Sequence, residues 1–259
     1  MITDYHMHLR WPGEEVTADI AAIEQYVETA AARGIDEIGF TEHVYYFRQT
    51  REIWDLPYQL ERCVYDLDAY CDAILEAKQQ GRPVKLGLEV DYVGGRQARL
   101  AELLEPYPWD FLLGSVHWID GVAVDLLPGL WADHSVEEVW ELYFAALAEL
   151  AASGFVDVLS HPDLVKIYGM RPADPAAFYP ELGGVALEIS TAGLRKPVGE
   201  LYPDPVMLAG RQPITLAADA HEAKDVGLDI DRAVDLARAA GYDTVTVFDG
   251  RKPRQERLG

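Results

Sequence analysis

The sequence predicts a single-domain α/β protein, a distorted (β/α)7 barrel of the TIM type. Short β-branched, apolar runs alternate with segments of helical periodicity along the whole chain. No Ser/Gly-rich linker, low-complexity segment or fixed-period repeat divides the 259 residues. We therefore expect one domain that spans residues 1–259.

Eight runs have the length and composition of strands, and seven or eight of them would form the barrel. They are residues 2–9, 37–43, 84–93, 110–119, 156–161, 185–191, 213–221 and 244–250. A doubly wound open sheet is less favoured, because polar residues at the ends of six strands would not converge on one crevice there.

The segments between the strands predict helices, and several carry start or stop signals. The helices cover about residues 18–33, 58–80, 95–105, 135–152 and 229–240. Ser135 and Glu138 have the spacing of a capping box, and Thr17 is a possible N-cap of the first helix. Residues 44–57 are rich in aromatics and predict a long loop, which in a barrel often belongs to the site.

The charge and the cysteine residues indicate which partners and which cellular compartment to expect. The formal net charge of −22 argues against nucleic acid or an anionic membrane as a partner. Cys63 and Cys71 lie on one predicted helix about 12 Å apart, too far for a disulfide, so we expect reduced thiols and a cytoplasmic location. The chain enters a strand at once and has no run of 18 apolar residues, so we expect neither a signal peptide nor a membrane span.

Most histidines of this chain stand at the ends of predicted strands. Those at strand ends are His6, His8, His43, His117, His161 and His221, and Glu89 and Asp219 occupy equivalent places. Parallel strands of a barrel deliver their C-terminal residues to one common mouth. Imidazole and carboxylate ligands collected there predict a multinuclear metal site and hydrolytic chemistry.

The spacing within each strand supports this reading. His6 and His8 are two residues apart and share a face of their strand, and Asp219 and His221 repeat that geometry. Glu89 can bridge two cations through its two oxygens. A lone strand histidine is more often a core residue, but the ordered set favours a metal site. His134 is expected at the surface, and Glu42 could point either way.

The ordered set H-x-H, T-E-H, a strand-end Glu, G-S-V-H, S-H-P and D-A-H resembles the PHP (polymerase and histidinol phosphatase) family of metal-dependent phosphoesterases. The stretches GFTEHVYYF and EISTAGLRKPVGELYP are most similar to its monofunctional histidinol-phosphatase branch. The resemblance implies a (β/α)7 barrel with two or three divalent cations at its mouth. It implies one metal bound by His6, His8, Glu89 and Asp219, and a second bound by Glu89, His117 and His161.

A third metal of the family uses the residues that match His43 and His221, plus a histidine shortly after H-x-H. This chain has no histidine in that loop, which reads RWPGEE from residue 10 to residue 15. Glu14 or Glu15 could replace it, or the third site could be weak or empty. The donor set accepts Zn, Mn or Fe.

The implied reaction is hydrolysis of a phosphomonoester, most closely L-histidinol phosphate in histidine biosynthesis. Two cations can bridge a hydroxide that attacks phosphorus in line. We expect His221, Asp219 and His43 to be catalytic, with His221, His43 or a water as the source of the leaving-group proton.

A guanidinium is well suited to bind the substrate phosphate, and Arg195 follows a predicted strand end. We expect its neighbour Lys196 to point away. An imidazole pocket could be walled by aromatics, namely Tyr45, Tyr46, Trp118 and Trp131, although ordinary packing explains such residues equally well.

Three rival functions remain open. A protein of the same fold could act on another small phosphoester, such as a nucleotide or sugar phosphate. An amidohydrolase-type enzyme would also begin with H-x-H, but it usually bridges its metals with a lysine, where this chain has Glu89. A degenerate barrel that only binds a partner would lack ligands, yet the two-metal set is complete.

Overall fold

The computed structural model describes residues 1–9 and 20–259, and its centre is a parallel sheet. Seven strands from this part of the chain form the sheet in the order β1-β2-β3-β4-β7-β8-β9. They are β1 (Thr3–Asp4), β2 (Glu37–Phe40), β3 (Val84–Asp91), β4 (Phe111–Ser115), β7 (Val158–Leu159), β8 (Ala186–Ser190) and β9 (Ile214–Ala217). Between β4 and β7, β5 (Trp118–Ile119) and β6 (Val122–Ala123) form a small antiparallel hairpin.

The first and last strands of the sheet meet and nearly close it into a barrel. The backbone N–H of Tyr5 donates to the carbonyl of Leu216 at 3.0 Å, and that of His8 donates to the carbonyl of Ala220 at 2.7 Å. The buried Asp4 carboxylate accepts a further hydrogen bond from the N–H of Ala218 at 2.9 Å. The predicted seven-stranded barrel is confirmed.

Helices cover the outside of the sheet, and most lie where the sequence predicted them. They are α1 (Ile20–Ala32), α2 (Pro57–Arg62), α3 (Leu67–Gln79), α4 (Gln97–Leu104), α5 (Val136–Ala152) and α6 (Ile230–Ala239). The capping box of Ser135 and Glu138 is present at the start of α5. In the described ranges, no helix combines the length and the apolar character that crossing a membrane requires.

The single helix predicted over residues 58–80 is wrong, because the chain breaks between α2 and α3. Asp66 caps α3 by accepting hydrogen bonds from the N–H groups of Asp68 and Ala69. A short carboxylate side chain that captures backbone donors competes with a continuous helix. Cys63 and Cys71 therefore lie on separate segments, and both are buried, free thiols.

The structure adds detail to two other predicted segments. The last predicted strand lies outside the barrel, since β10 (Thr244–Asp249) pairs antiparallel with β11 (Lys252–Arg257). The predicted loop at residues 44–57 contains two 3-10 turns, Val44–Tyr46 and Arg48–Ile53. The N-cap expected at Thr17 lies outside the described residues.

The interior of the barrel away from the strand C-termini is filled by aromatic rings. Phe111, the first residue of β4, stacks on Tyr5 at 4.9 Å and on Phe248 of β10 at 5.8 Å between ring centroids. These rings approach the backbone so closely that the neighbouring strands carry Gly39 and Gly87, where a Cβ would collide with Phe111.

We expect Gly39→Ala to lower the free energy of unfolding by about 1–3 kcal/mol, because its Cβ would overpack the interior. That Cβ would lie 2.6 Å from Cζ of Phe111, a ring held on both sides by other rings. Urea denaturation measures the effect. Gly184→Ala is the matched control, since no atom lies within 4 Å of its Cβ position. Equal stability of the two variants would contradict this packing.

Candidate metal centre

The centre of the site is Glu89, a fully buried carboxylate on β3. Its Oε1 lies 3.4 Å from Nε2 of His6, 3.6 Å from Nε2 of His117 and 3.2 Å from Nε2 of His161. Its Oε2 lies 2.6 Å from Nδ1 of His43 and 3.7 Å from Nε2 of His8. One carboxylate thus faces five imidazoles, which the sequence had placed at the ends of four different strands.

Asp219 forms the second acidic side of the cluster. Its Oδ1 lies 3.7 Å from Nε2 of His6, 3.5 Å from Nε2 of His8 and 3.5 Å from Nδ1 of His221. The ring of His8 has its centroid 4.5 Å from that of His43 and 4.4 Å from that of His221. All eight residues singled out in the sequence as metal ligands therefore come together.

The backbone conformation at two of these residues, Asp219 and His161, helps to orient their side chains towards the cluster. Asp219 has φ +53° and His161 has φ +26°, both in the region that L residues other than glycine rarely adopt. The predicted strands ran through these residues, but β7 and β9 end before them. Such conformations persist when the surrounding structure holds them, and they concentrate at functional sites.

Three further carboxylates lie behind the histidines, on the side away from Glu89. Glu188 Oε2 is 2.9 Å from Nδ1 of His6, and Asp91 Oδ1 is 2.8 Å from Nδ1 of His117. Glu42 Oε2 is 3.6 Å from Nδ1 of His8. A carboxylate on one imidazole nitrogen fixes the ring orientation and makes the other nitrogen a better ligand.

Glu188 and Asp91 were not predicted from the sequence, and the direction of Glu42 was left open. Glu42 turns inward, is buried, and accepts a hydrogen bond from the N–H of Leu9 at 2.6 Å. Two signals were present in the sequence. Glu188 interrupts an otherwise apolar strand, and Asp91 is two residues after Glu89, on the same face of β3.

The donor atoms fit divalent metal ions. Four compact groups have ligand atoms within 4.8 Å of one another: His6, His8 and Asp219; His6, Glu89 and His161; His8, His43 and His221; and His43, Asp91 and His117. Nε2 of His6, Nε2 of His8 and Oε2 of Glu89 are buried, and no described residue hydrogen-bonds to them. Buried polar atoms normally have a partner, and metal ions would provide one here.

The charges of the cluster shift its pKa values in opposite directions. Burial disfavours the charged form of Glu89, but the imidazoles around it, His43 first, hold its pKa well below the usual value. Burial lowers the pKa of His8, yet Asp219 and Glu42 raise it to about 9. Burial and the neighbouring His8 lower the pKa of His221 to about 3. Metal ions that bind here must therefore displace protons from some of these histidines.

A cavity of about 170 Å³ opens beside the cluster. Its wall includes Glu89, Asp219 and four of the cluster's histidines, together with Tyr45, Tyr46, Tyr58 and Trp118. Three of the four aromatics expected at a pocket are thus placed there. The fourth, Trp131, donates its indole N–H to the carbonyl of Val124 at 3.3 Å.

The two basic residues after β8 differ in their surroundings. Lys196 is exposed, as expected, and is also among the residues that line the cavity. Arg195 directs its guanidinium to the carbonyls of Ala218 and Thr191. A helical turn at Ala192–Arg195, which a strand pattern does not reveal, separates these residues from the end of β8.

His134 is exposed and apart from the cluster, as expected. Glu14 and Glu15, the candidates to replace a third-site histidine, lie outside the described residues.

Known proteins resemble this chain over most of its length. The PHP domain family matches residues 4–192. A protein of Deinococcus radiodurans named "Probable histidinol-phosphatase" is 32% identical, over 97% of this chain and 98% of its own. The histidinol-phosphatase of Lactococcus lactis is 25% identical, over 96% of this chain and 95% of its own.

A solved structure agrees with this likeness. The crystal structure of histidinol phosphate phosphatase from Lactococcus lactis, in complex with zinc, L-histidinol and phosphate, matches with a TM-score of 0.73. The match covers 98% of both chains at 25% sequence identity. The family match spans more than half of the chain and includes the strands that carry His6, Glu89 and His161. This chain therefore belongs to the PHP family.

Proposed function

We propose that this chain, as one domain over residues 1–259, is a metal-dependent phosphomonoesterase that hydrolyses L-histidinol phosphate to L-histidinol and inorganic phosphate. The observation that carries the proposal is the buried Glu89 carboxylate with five imidazoles around it, beside a small cavity. The names of the relatives support this substrate, and so do the zinc, L-histidinol and phosphate in the Lactococcus lactis structure.

Two metal positions share Glu89 in this proposal. His6, His8, Glu89 and Asp219 would hold one ion, and Glu89, His117 and His161 would hold the second. When bound, divalent ions supply Lewis acidity and lower the pKa of water towards neutrality. Zinc has the most direct support, and manganese or iron suits the same donors.

A third position would use His43 and His221. Both rings lie next to His8, which supports a compact third group. Glu14 or Glu15, which lie outside the described part of the chain, would take the place of the histidine that this loop lacks.

Residues of the chain itself would take part in proton transfer and in contacts with the substrate. His43, Asp219 and His221 all line the cavity, which supports the proposal that they take part in the reaction. His221 is neutral at pH 7 because its pKa is about 3, and its lone pair is available as a ligand or a proton acceptor. Tyr45, Tyr46 and Trp118 would exclude water and contact the imidazole ring of the substrate.

Positive charge for the phosphate would come from Lys196 and Arg195. Lys196 lines the cavity. The guanidinium of Arg195 donates a hydrogen bond to the carbonyl of Ala218, the residue directly before Asp219. An ammonium in the wall can contact a phosphoryl oxygen as a point charge, and a guanidinium can do so with two N–H groups. Arg195 as a phosphate ligand stays a prediction.

We expect at least two divalent cations per chain in active protein, because two ligand sets share Glu89. Elemental analysis of the purified enzyme measures the ratio. His8→Ala or Asp219→Ala should lower kcat/KM by more than about a hundredfold. Even mutation of residues that only hydrogen-bond to metal ligands typically lowers metal affinity or activity by about 10–100-fold. Both variants should keep the circular dichroism of the barrel. Active protein with one metal or none would refute the dinuclear proposal.

Glu188→Gln tests the carboxylates behind the histidines. We expect a loss of about 10–100-fold in zinc affinity, because an amide holds and polarises His6 less strongly than a carboxylate. Competition with a chromogenic chelator measures the zinc affinity. Glu181→Gln is the control, because Glu181 is an exposed residue in the segment that precedes β8. Unchanged affinity in Glu188→Gln would mean that this carboxylate serves only the fold.

The substrate assignment is tested by comparing phosphate release from a panel of phosphoesters. We expect the highest kcat/KM for L-histidinol phosphate and little turnover of phosphodiesters or nucleic acid, which the acidic charge repels. If a nucleotide or sugar phosphate were a better substrate by about tenfold, a difference of about 1.4 kcal/mol, the substrate would be reassigned and the phosphoesterase chemistry kept.

Arg195→Ala and Lys196→Ala should each lower kcat/KM by at least about tenfold if both side chains contact the phosphate. Arg195→Lys should recover only part of the loss. Lys252→Ala removes one positive charge from the exposed β10–β11 hairpin and is the control. An Arg195→Ala variant with a lower Tm but an intact kcat/KM would show that Arg195 only anchors the backbone before Asp219.

A further inference from the structure

One carboxylate in the cavity wall lies outside the cluster around Glu89. The acidic residues that line the cavity within the described chain are Glu89, Asp219 and Asp125. The first two face imidazoles at the distances given above. Asp125 follows β6 and is half-buried, and its carboxylate has no ion pair or hydrogen bond with any residue that the structure describes.

The backbone beside Asp125 is fixed from three directions. The phenol of Tyr168 donates a hydrogen bond to the carbonyl of Asp125. The preceding residue, Val124, donates its N–H to the carbonyl of His117 at 2.9 Å and accepts from Trp131. Asp125 is therefore held next to a residue of the metal cluster, and its position does not depend on its own carboxylate.

Asp125 and the metal cluster face the same cavity, because His117 and Asp125 both line it. A carboxylate in a cavity wall that has no protein partner is free to bind a cation that enters the cavity. Lys196, the basic residue in the same wall, is beyond ion-pair distance from it in the described structure.

The proposed substrate carries such a cation. L-Histidinol phosphate has an ammonium group on the carbon next to the phosphate-bearing carbon, so the ammonium must lie close to the metal cluster when the phosphate does. Tyr58 and Trp118, with ring centroids 5.1 Å apart, are in the same wall and offer faces for its imidazole ring.

We propose that the carboxylate of Asp125 binds the ammonium group of the substrate and selects for amino-alcohol phosphates. This inference rests on the proposed function, and it names the residue that would recognise the part of the substrate that does not react. Asp125 would contribute through binding, so its loss should act mainly on KM.

The experiment compares two substrates in two variants. The substrates are L-histidinol phosphate and its deamino analogue, in which hydrogen replaces the amino group. Asp125→Asn should lower kcat/KM for L-histidinol phosphate by at least about tenfold and for the deamino analogue by less than about twofold. Asp125→Glu, which keeps the charge, should recover part of the loss. Metal content and Tm are measured alongside to establish that the variants are folded.

Asp120→Asn is the matched control for the loss of one negative charge. Asp120 is on the same hairpin but lines a neighbouring cavity of about 520 Å³, and Asn tolerates its φ of +47°. We expect it to leave both substrates within about twofold of wild type. In the wild type, L-histidinol should inhibit more strongly than the deamino alcohol.

Three results would overturn the inference. They are an equal loss for both substrates in Asp125→Asn, no loss for either, or an equal loss in Asp120→Asn. The first would mean a role at the phosphate or the metals, and the last a long-range field effect. Wild-type protein that hydrolysed other phosphoesters but not L-histidinol phosphate would refute the proposed substrate itself, and the inference with it.

Discussion

The contact between Glu89 and five imidazoles is the constraint on which the rest of this structure depends. A carboxylate that is completely removed from water is expensive unless opposite charge or metal ions compensate it. The histidines that compensate it come from segments that follow β1, β2, β4 and β7, which are far apart in the sequence. A barrel satisfies this requirement, because it brings the C-terminal ends of all its strands to one mouth.

Closure of the barrel is what joins the two halves of the site. His6 and His8 follow β1, Asp219 and His221 follow β9, and the two segments share backbone hydrogen bonds at Ala220. The buried Asp4 carboxylate strengthens this seam through the N–H groups of Ala218 and Gly227, at 2.9 and 2.7 Å. The residues that stabilise the barrel and those that form the site thus lie at different ends of its axis. Packed aromatic rings fill one end, and charged groups line the other.

The parts of the site that the sequence predicted are those that follow from strand periodicity. Histidines at strand ends could be placed together because parallel strands share a direction, and all eight predicted ligands converge. The contacts of Arg195 could not be predicted, because a helical turn follows β8 and the guanidinium donates to the carbonyls of Thr191 and Ala218. Glu188 and Asp91 were missed because a carboxylate behind a ligand carries no spacing motif. The break before α3 depends on Asp66, whose capping competes with helix propensity that favoured continuation.

In the function that we propose, two metal ions share Glu89. Anomalous diffraction at the zinc absorption edge, from crystals of zinc-loaded protein, tests it most directly because it locates each metal independently of activity. We predict at least two peaks, each about 2.0–2.2 Å from an oxygen of Glu89, one next to His6 and Asp219 and one next to His117 and His161. A single peak, or peaks that leave Glu89 without a metal contact, would contradict it.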